Sequence, residues 1–415
     1  MSLSMSKDGF IVRTSREPTV AESQTSPIQR VPFEILSEIF TLCSKRELLS
    51  PTKIASVCHL WRETIFATPL AWTRICSATV EERKVSHEKY RRFLELSNPH
   101  LLFSDIDHVL VQECRLFDQS PSAAHQMCAC LKIRQPFSYS DRLRCLSIES
   151  SWLANEYPTL IFPNLEHLTF RTARPTRKID MSRFPKLWHL RIPSNPGSIT
   201  LLDFSNPRHP QLRYLESRVV YYDFWLPVVN QFVGSLRTLS LSGHFVTGLK
   251  SKRKVECPQL QVLIIRDNEL FPSEDILLEL SVPRLIYLHY RSRERDHKGL
   301  VQIRTNMPPK LRDYPSLRIL QTEGPMCIPL LDIAAQLESE SSLCPNLRKI
   351  EAKFDEIPDL TQTLIDNVQG RIRNRNEKTG SDIMLVVCQK WLTSAPIDLQ
   401  ECEDDAPCHS WAEGN

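Results

Sequence analysis

Apolar residues follow two different periods along this chain. Between residues 28 and 75 the spacing is helical. Ile35, Leu36, Ile39, Phe40 and Cys43 make one stripe, and Ile54, Val57, Cys58, Trp61 and Ile65 make a second. Pro32 suits a first helical turn, and Glu34 sits near the positive end of the helix dipole. Ser50 and Pro51 mark a second helix start, with Ser50 as the cap, and Thr68-Pro69 marks its end. The pattern therefore predicts two helices of about 12 and about 16 residues, too short to bury their stripes against one another alone.

From about residue 140 the period changes to strand alternation, and the alternation itself repeats. Nine segments align without gaps: DRLRCLSIE, PNLEHLTFR, PKLWHLRIP, PQLRYLESR, GSLRTLSLS, PQLQVLIIR, PRLIYLHYR, PSLRILQTE and PNLRKIEAK. Their first leucines are Leu143, Leu165, Leu187, Leu212, Leu236, Leu260, Leu285, Leu317 and Leu347, at steps of 22 to 32 residues. Three residues on, the position is aliphatic in all nine, from Leu146 to Ile350. Two further on it is apolar in seven, with Ser217 and Thr322 as the exceptions. One strand per unit, recurring at about 20–45 residues, is the signature of a stacked repeat array.

The array organises the rest of the chain. Val80–Ser97 reads as a helix and His100–Ile106 as a strand ahead of the aligned units. Ile276–Leu280 and Ile328–Leu337 have helical spacing suited to returning the chain between strands. Leu360–Asn376 reads as a helix, and Asp382–Val387 as a last strand. The predicted organisation is a disordered leader over 1–27, a helical domain over 28–75 and a repeat region over 76–394. That region divides into irregular first units (76–140), aligned units (141–356) and a terminal helix–strand cap (357–394). A disordered tail follows over 395–415.

Composition narrows the function. The 52 basic and 49 acidic residues leave a net charge of +3, which excludes a generally basic nucleic-acid binder. Ten glycines form no phosphate-binding loop, whereas the 29 prolines reflect the repeat, preceding the first leucine by two residues in seven units. Thirteen cysteines, odd in number and without a C-x-x-C pair, read as reduced thiols. The N-terminus lacks the apolar core of a signal peptide, and nothing approaches a membrane span. The expectation is an intracellular protein, cytoplasmic or nuclear.

The repeat resembles the leucine-rich repeat, L-x-x-L-x-L, over roughly residues 100–390. It departs in its ladder asparagine, present only as Asn195 and Asn268. Residues 28–75 resemble an F-box, in the F-box-like form found in fungi. The matching stretches are Val31–Phe40, then Ser56–Arg62, then Thr68–Trp72, with Val31 and Ala71 where leucine is usual. The resemblances imply an α/β fold, in which an all-helical F-box module precedes a leucine-rich-repeat solenoid with a parallel sheet on its concave face. They also imply a non-catalytic substrate receptor of a Skp–cullin–F-box ubiquitin ligase, with the Skp adaptor and a target protein as partners.

Candidate sites follow. The F-box resemblance implies adaptor docking, for which Pro32, Ile35, Leu36 and Ile39 are the assigned edge, with Val57, Cys58 and Trp61 as core. The alternative is that both helices only cap the array, as terminal repeats do, in a protein that serves as an interaction scaffold. Positions two, four and six after each first leucine point away from the leucine core. They supply the candidate target-binding residues His189, Arg191, Tyr214, Arg218, Arg266, His289, Arg291 and Arg171. Arg171, Arg218, Arg266, Arg291 and Lys353 fall in one register line able to grip an acidic or phosphorylated peptide, or simply to face solvent. Lys250–Lys254 is either a nuclear import signal or a basic loop. His125, Cys128 and Cys130, and Cys402, Cys408 and His409, superficially resemble metal clusters but lack a second pair at zinc spacing. No catalytic constellation, cofactor site or metal site is expected.

Overall fold

A computed structural model describes residues 27–46, 50–76, 87–105, 136–148, 153–154, 158–170, 178–192, 202–205, 211–221, 228–246, 255–267, 280–291, 310–323, 328–354 and 359–389. These fall into two compact units, one within Met1–Ile75 and Glu88–His100, the other within Cys76–His87 and Leu101–Asn415.

The first unit holds α1 (Phe33–Arg46), α2 (Ser50–Ala55), α3 (His59–Phe66), a 3-10 turn at Pro69–Trp72, and all but the boundary residues Cys76 and His87 of strand β1 (Arg74–Cys76) and α4 (His87–Leu96). The sequence predicts one helix where α2 and α3 stand. The break falls at Ser56–Cys58, where the Ser56 hydroxyl donates to the Lys53 carbonyl (2.7 Å) and Cys58 takes extended backbone. A serine that bonds back to its own turn offers the backbone an alternative to helix continuation. Trp72 organises the packing. Its ring stacks on Phe66 at 5.5 Å, meets Phe93 of α4 edge-on at 4.9 Å, and donates its indole N–H to the Ile65 carbonyl (2.8 Å). Phe40 meets Trp61 at 5.1 Å, and the Ser37 and Thr68 hydroxyls bond at 2.8 Å, fixing α1 against the turn after α3. Thus α4, which the sequence places in the repeat region, packs on Trp72 of the helical unit.

The second unit is α/β, dominated among the described residues by a parallel sheet of eleven strands. In sheet order these are β2 (Leu102–Asp105), β3 (Leu143–Ile148), β4 (His167–Phe170), β6 (His189–Ile192), β8 (Tyr214–Tyr221), β9 (Thr238–Val246), β11 (Val262–Asp267), β13 (Tyr287–Arg291), β14 (Ile319–Glu323), β15 (Lys349–Phe354) and β16 (Met384–Gln389). Sheet order equals chain order, so each unit adds one strand beside the last. Two-residue strands β5 (Ile179–Asp180) with β7 (Leu202–Asp203), and β10 (Val255–Glu256) with β12 (Leu280–Ser281), pair outside this sheet. Leu280, expected in a helix, therefore begins β12.

The sheet register reproduces the gap-free sequence alignment. Leu146, Leu168, Leu190, Leu215, Leu239, Leu263, Leu288, Leu320 and Ile350 pair rung to rung, and Leu385 of β16 extends the ladder. All of the first leucines and of these ladder aliphatics up to Ile350 are buried. Each contributes about 1.5–3 kcal/mol of apolar burial. Proline has a defined role here. The residue before it accepts a hydrogen bond from the first leucine's N–H, as from Leu187 to Phe184 (3.0 Å), Leu285 to Val282 (3.1 Å) and Leu317 to Tyr314 (3.2 Å). That is a β-turn with proline at its second position, where the fixed φ of the ring is already correct. The accepting residues Phe162, Phe184, Cys257, Val282, Tyr314 and Cys344 are themselves buried and extend the core.

Helices α5 (Ile328–Ser339) and α6 (Asp359–Thr379) follow β14 and β15 and pack against each other, tied by Arg371 to Glu338 (3.2 Å). Two buried arginines brace irregular backbone. Arg183 donates to the Leu160 (2.7 Å) and Leu153 (3.1 Å) carbonyls, and Arg375 to the Leu343 carbonyl. Desolvation lowers the pKa of both, that of Arg183 to about 10.

Candidate functional site

The first candidate surface is α1. Its apolar stripe is wide, and the fold divides it into two lines. Leu36, Phe40 and Ser44, spaced four apart, face inward, and the Ser44 hydroxyl is satisfied by the Phe40 carbonyl (2.7 Å). Pro32, Phe33, Ile35, Ile39 and Leu42 are exposed. Ile35 is 48% and Ile39 45% accessible, whereas Leu36 is 2% accessible. Leu36 is therefore a core residue, a correction to its place on the docking edge; one step of 100° along the helix carries it from the shoulder of the stripe to its centre. The opposite correction applies to Val57 and Cys58. Expected in the core, they are exposed, Val57 at 60%, because the chain turns there between α2 and α3. Trp61 is half-buried, and Leu70 joins the exposed apolar set. The exposed side chains of this patch, Ile35, Ile39, Leu42, Val57 and Leu70, are apolar, with the His59–Glu63 pair (3.3 Å) on α3.

The second candidate surface is the sheet face opposite the leucine ladder. The structure brings His189 and Tyr214 into a stack at 3.9 Å on neighbouring rungs, with His167 5.0 Å from His189 and Trp188 4.5 Å from His167. Arg191 pairs with Glu216 (3.1 Å), which also accepts from the Tyr214 hydroxyl (3.0 Å). Farther along, His289 contacts Glu323 (3.2 Å), and the Tyr287 hydroxyl donates to the Gln321 side chain (2.5 Å). Lys349 pairs with Glu351. His189 and Arg191 are partly accessible. Tyr214 and His289 are buried, contrary to the expectation of an open face; so are Tyr287, Gln321 and Glu351. Rungs about 4.8 Å apart stack large side chains on one another, so a row of bulky polar residues covers itself. Arg218, Arg266 and Arg291 occupy strand positions in one register line, Arg266 pairing with Arg291, and Arg291 with Glu323. Arg171 lies outside the described residues, as do Lys250–Lys254 and both histidine–cysteine groups.

Sequence reasoning passed over a third surface. In eight of the nine units the residue one after the first leucine precedes the strand, Arg144 being already within β3, and its backbone links unit to unit. The Arg237 N–H donates to Arg213 (2.8 Å), Gln261 to Arg237 (2.8 Å), Ile286 to Gln261 (2.8 Å), Arg318 to Ile286 (2.8 Å) and Arg348 to Arg318 (2.9 Å). Five of the nine residues in this row are arginine, a bias visible in the aligned segments themselves.

Among the described residues no cluster of His, Cys, Asp and Glu is placed to hold a metal ion, and no helix is long and apolar enough to cross a membrane. The chain matches no family model and no curated protein.

Proposed function

We propose that this chain is the non-catalytic substrate-recognition subunit of a Skp–cullin–F-box ubiquitin ligase. In this reading the helical unit is an F-box that docks on the Skp adaptor, and the repeat region is a leucine-rich-repeat solenoid that binds a target protein. The receptor brings a bound target to the ligase, and ubiquitin transfer gains from proximity rather than from a nucleophile on this chain.

The observation that carries the reading is the outward half of the α1 stripe. Ile35, Ile39 and Leu42 are exposed along one line of a helix that already buries Leu36 and Phe40. Contiguous exposed apolar side chains on a helix mark a surface for a partner. A helix that served only as a terminal cap would present a polar outer side, not an apolar one. The resemblance of Val31–Phe40, Ser56–Arg62 and Thr68–Trp72 to the F-box pattern supports a Skp adaptor as that partner.

The test is co-purification of the full chain with the host's Skp adaptor, beside an Ile35→Asp/Ile39→Asp variant whose folding is checked by circular dichroism. Retention by the wild type and loss by a folded variant is the expected result. A folded wild type that retains no adaptor refutes the receptor reading and leaves a repeat scaffold.

A further inference from the structure

The row that precedes the strands carries a charge pattern that the proposed function does not use. In the four-residue segments ending one residue after the first leucine, the seven units from Pro185 onward hold Lys186, Arg213, Arg237, Arg284, Arg318 and Arg348 and no carboxylate. The two units before them are balanced, with Arg144 paired to Glu166 at 3.0 Å. Lys186 donates to Asn164 and Arg284 to Gln259. The side chains of Arg213, Arg237, Arg318 and Arg348 are exposed and engage no partner among the described residues.

These four stand as two pairs. Arg213 and Arg237 occupy adjoining rungs, joined directly by a backbone hydrogen bond, and so do Arg318 and Arg348. Like charges directly opposite on neighbouring strands repel, and an anion bridging them relieves that repulsion. Each guanidinium presents a planar fork that matches a carboxylate or phosphate bidentately. Between the pairs lie Gln261 and half-buried Ile286. From the middle of one pair to the middle of the other is four rungs, roughly 19 Å at about 4.8 Å per rung.

We propose that Arg213, Arg237, Arg318 and Arg348 form a two-station docking surface for an acidic segment of a protein partner. An extended polypeptide rises about 3.3 Å per residue, so the matching ligand carries two acidic clusters about six residues apart. A polypeptide fits better than a nucleic acid for two reasons. The row lacks an aromatic platform between Arg213 and Arg348 on which bases would stack, and a phosphodiester backbone favours an unbroken basic track over one interrupted by Gln261 and Ile286. This inference specifies the target class of the proposed receptor and rests on that reading only in assigning the repeat region to protein binding; it does not require the adaptor.

The test uses the purified full chain without adaptor and a fluorescein-labelled peptide with two Glu-Glu pairs centred six residues apart, read by anisotropy. The expected result is saturable binding that weakens as salt is raised, at least tenfold weaker for a peptide of equal charge with its four glutamates contiguous. Arg237→Glu/Arg318→Glu weakens binding by tenfold or more, while Arg373→Glu, an exposed arginine of α6, leaves it unchanged. No adaptor is present in this assay, so failure of the adaptor reading, seen in co-purification, is separately visible. Absence of binding overturns the proposal. So does equal loss in Arg373→Glu, indifference to glutamate spacing, or tighter binding of an oligothymidine of the same charge.

Discussion

Replacing Leu36 and Ile39 separately by alanine separates the two lines of α1, because the same kind of truncation meets opposite surroundings three residues apart. Leu36 is 2% accessible and Ile39 45%. Truncating a buried leucine removes its transfer free energy and leaves a cavity, at a cost of about 2–5 kcal/mol. For Ile39 only about half of the ~1.5–3 kcal/mol available from full burial is at stake. Alanine's better helix propensity recovers several tenths of a kcal/mol of that, for a net loss of ~0.5–1 kcal/mol. The assay is native-state hydrogen exchange on the full chain, followed in peptides from Phe33–Arg46 and His59–Phe66. In the regime where exchange follows the opening equilibrium, each ~1.4 kcal/mol is one decade of protection. Leu36→Ala is expected to cost both helices at least ~30-fold in protection, whereas Ile39→Ala costs about fivefold or less. Equal losses in the two variants would refute the assignment of Leu36 to the core and Ile39 to a free surface.

Three further outcomes follow from the packing. Trp72→Phe keeps ring contacts with Phe66 and Phe93 but loses the 2.8 Å bond to Ile65, so it costs about 1–2 kcal/mol, against about 3–5 kcal/mol for Trp72→Ala; denaturant melts of the helical unit's signal check the ranking. Tyr287→Phe strands the buried Gln321 acceptor and lowers stability by about 1–3 kcal/mol, read by exchange in the β13 and β14 peptides. Burial pushes the Cys257 thiol up to about 12 and that of Cys344 to about 11. A raised thiol pKa leaves little thiolate below it, so at pH 8 iodoacetamide labels exposed Cys43 and Cys58 while Cys257 and Cys344 stay unlabelled until the protein is denatured, as peptide mass spectrometry will show.

The strand positions were readable because a stacked array forces one residue to play the same part many times. Leu168, Leu190 and Leu215 align in sequence and pair in the sheet, so nine weak signals become one strong one. Local chemistry within a unit was harder to read. Phe162, Phe184 and Tyr314 look like loop residues by alternation, yet they begin the proline turns and are buried. Polar residues such as Tyr287, Gln321 and Glu351 obey the predicted strand alternation but not the predicted exposure, since their burial comes from side chains one rung away rather than from their own sequence. In the helical unit, period alone found the α1 stripe but not its inner line: Leu36 and Ile35 are adjacent in sequence, and tertiary contacts with α2, α3 and the Pro69–Trp72 turn decide which of them is covered. The α2–α3 break was hidden because Ile54, Val57, Trp61 and Ile65 keep helical spacing across it.

Isothermal titration of purified Skp adaptor into the full chain at several temperatures decides whether α1 is an adaptor-docking surface. Docking through α1 gives one-to-one binding with a negative heat-capacity change, the mark of apolar burial, and no measurable heat with the folded Ile35→Asp/Ile39→Asp variant. A folded wild type that gives no binding, or a variant that binds as tightly as the wild type, would contradict it.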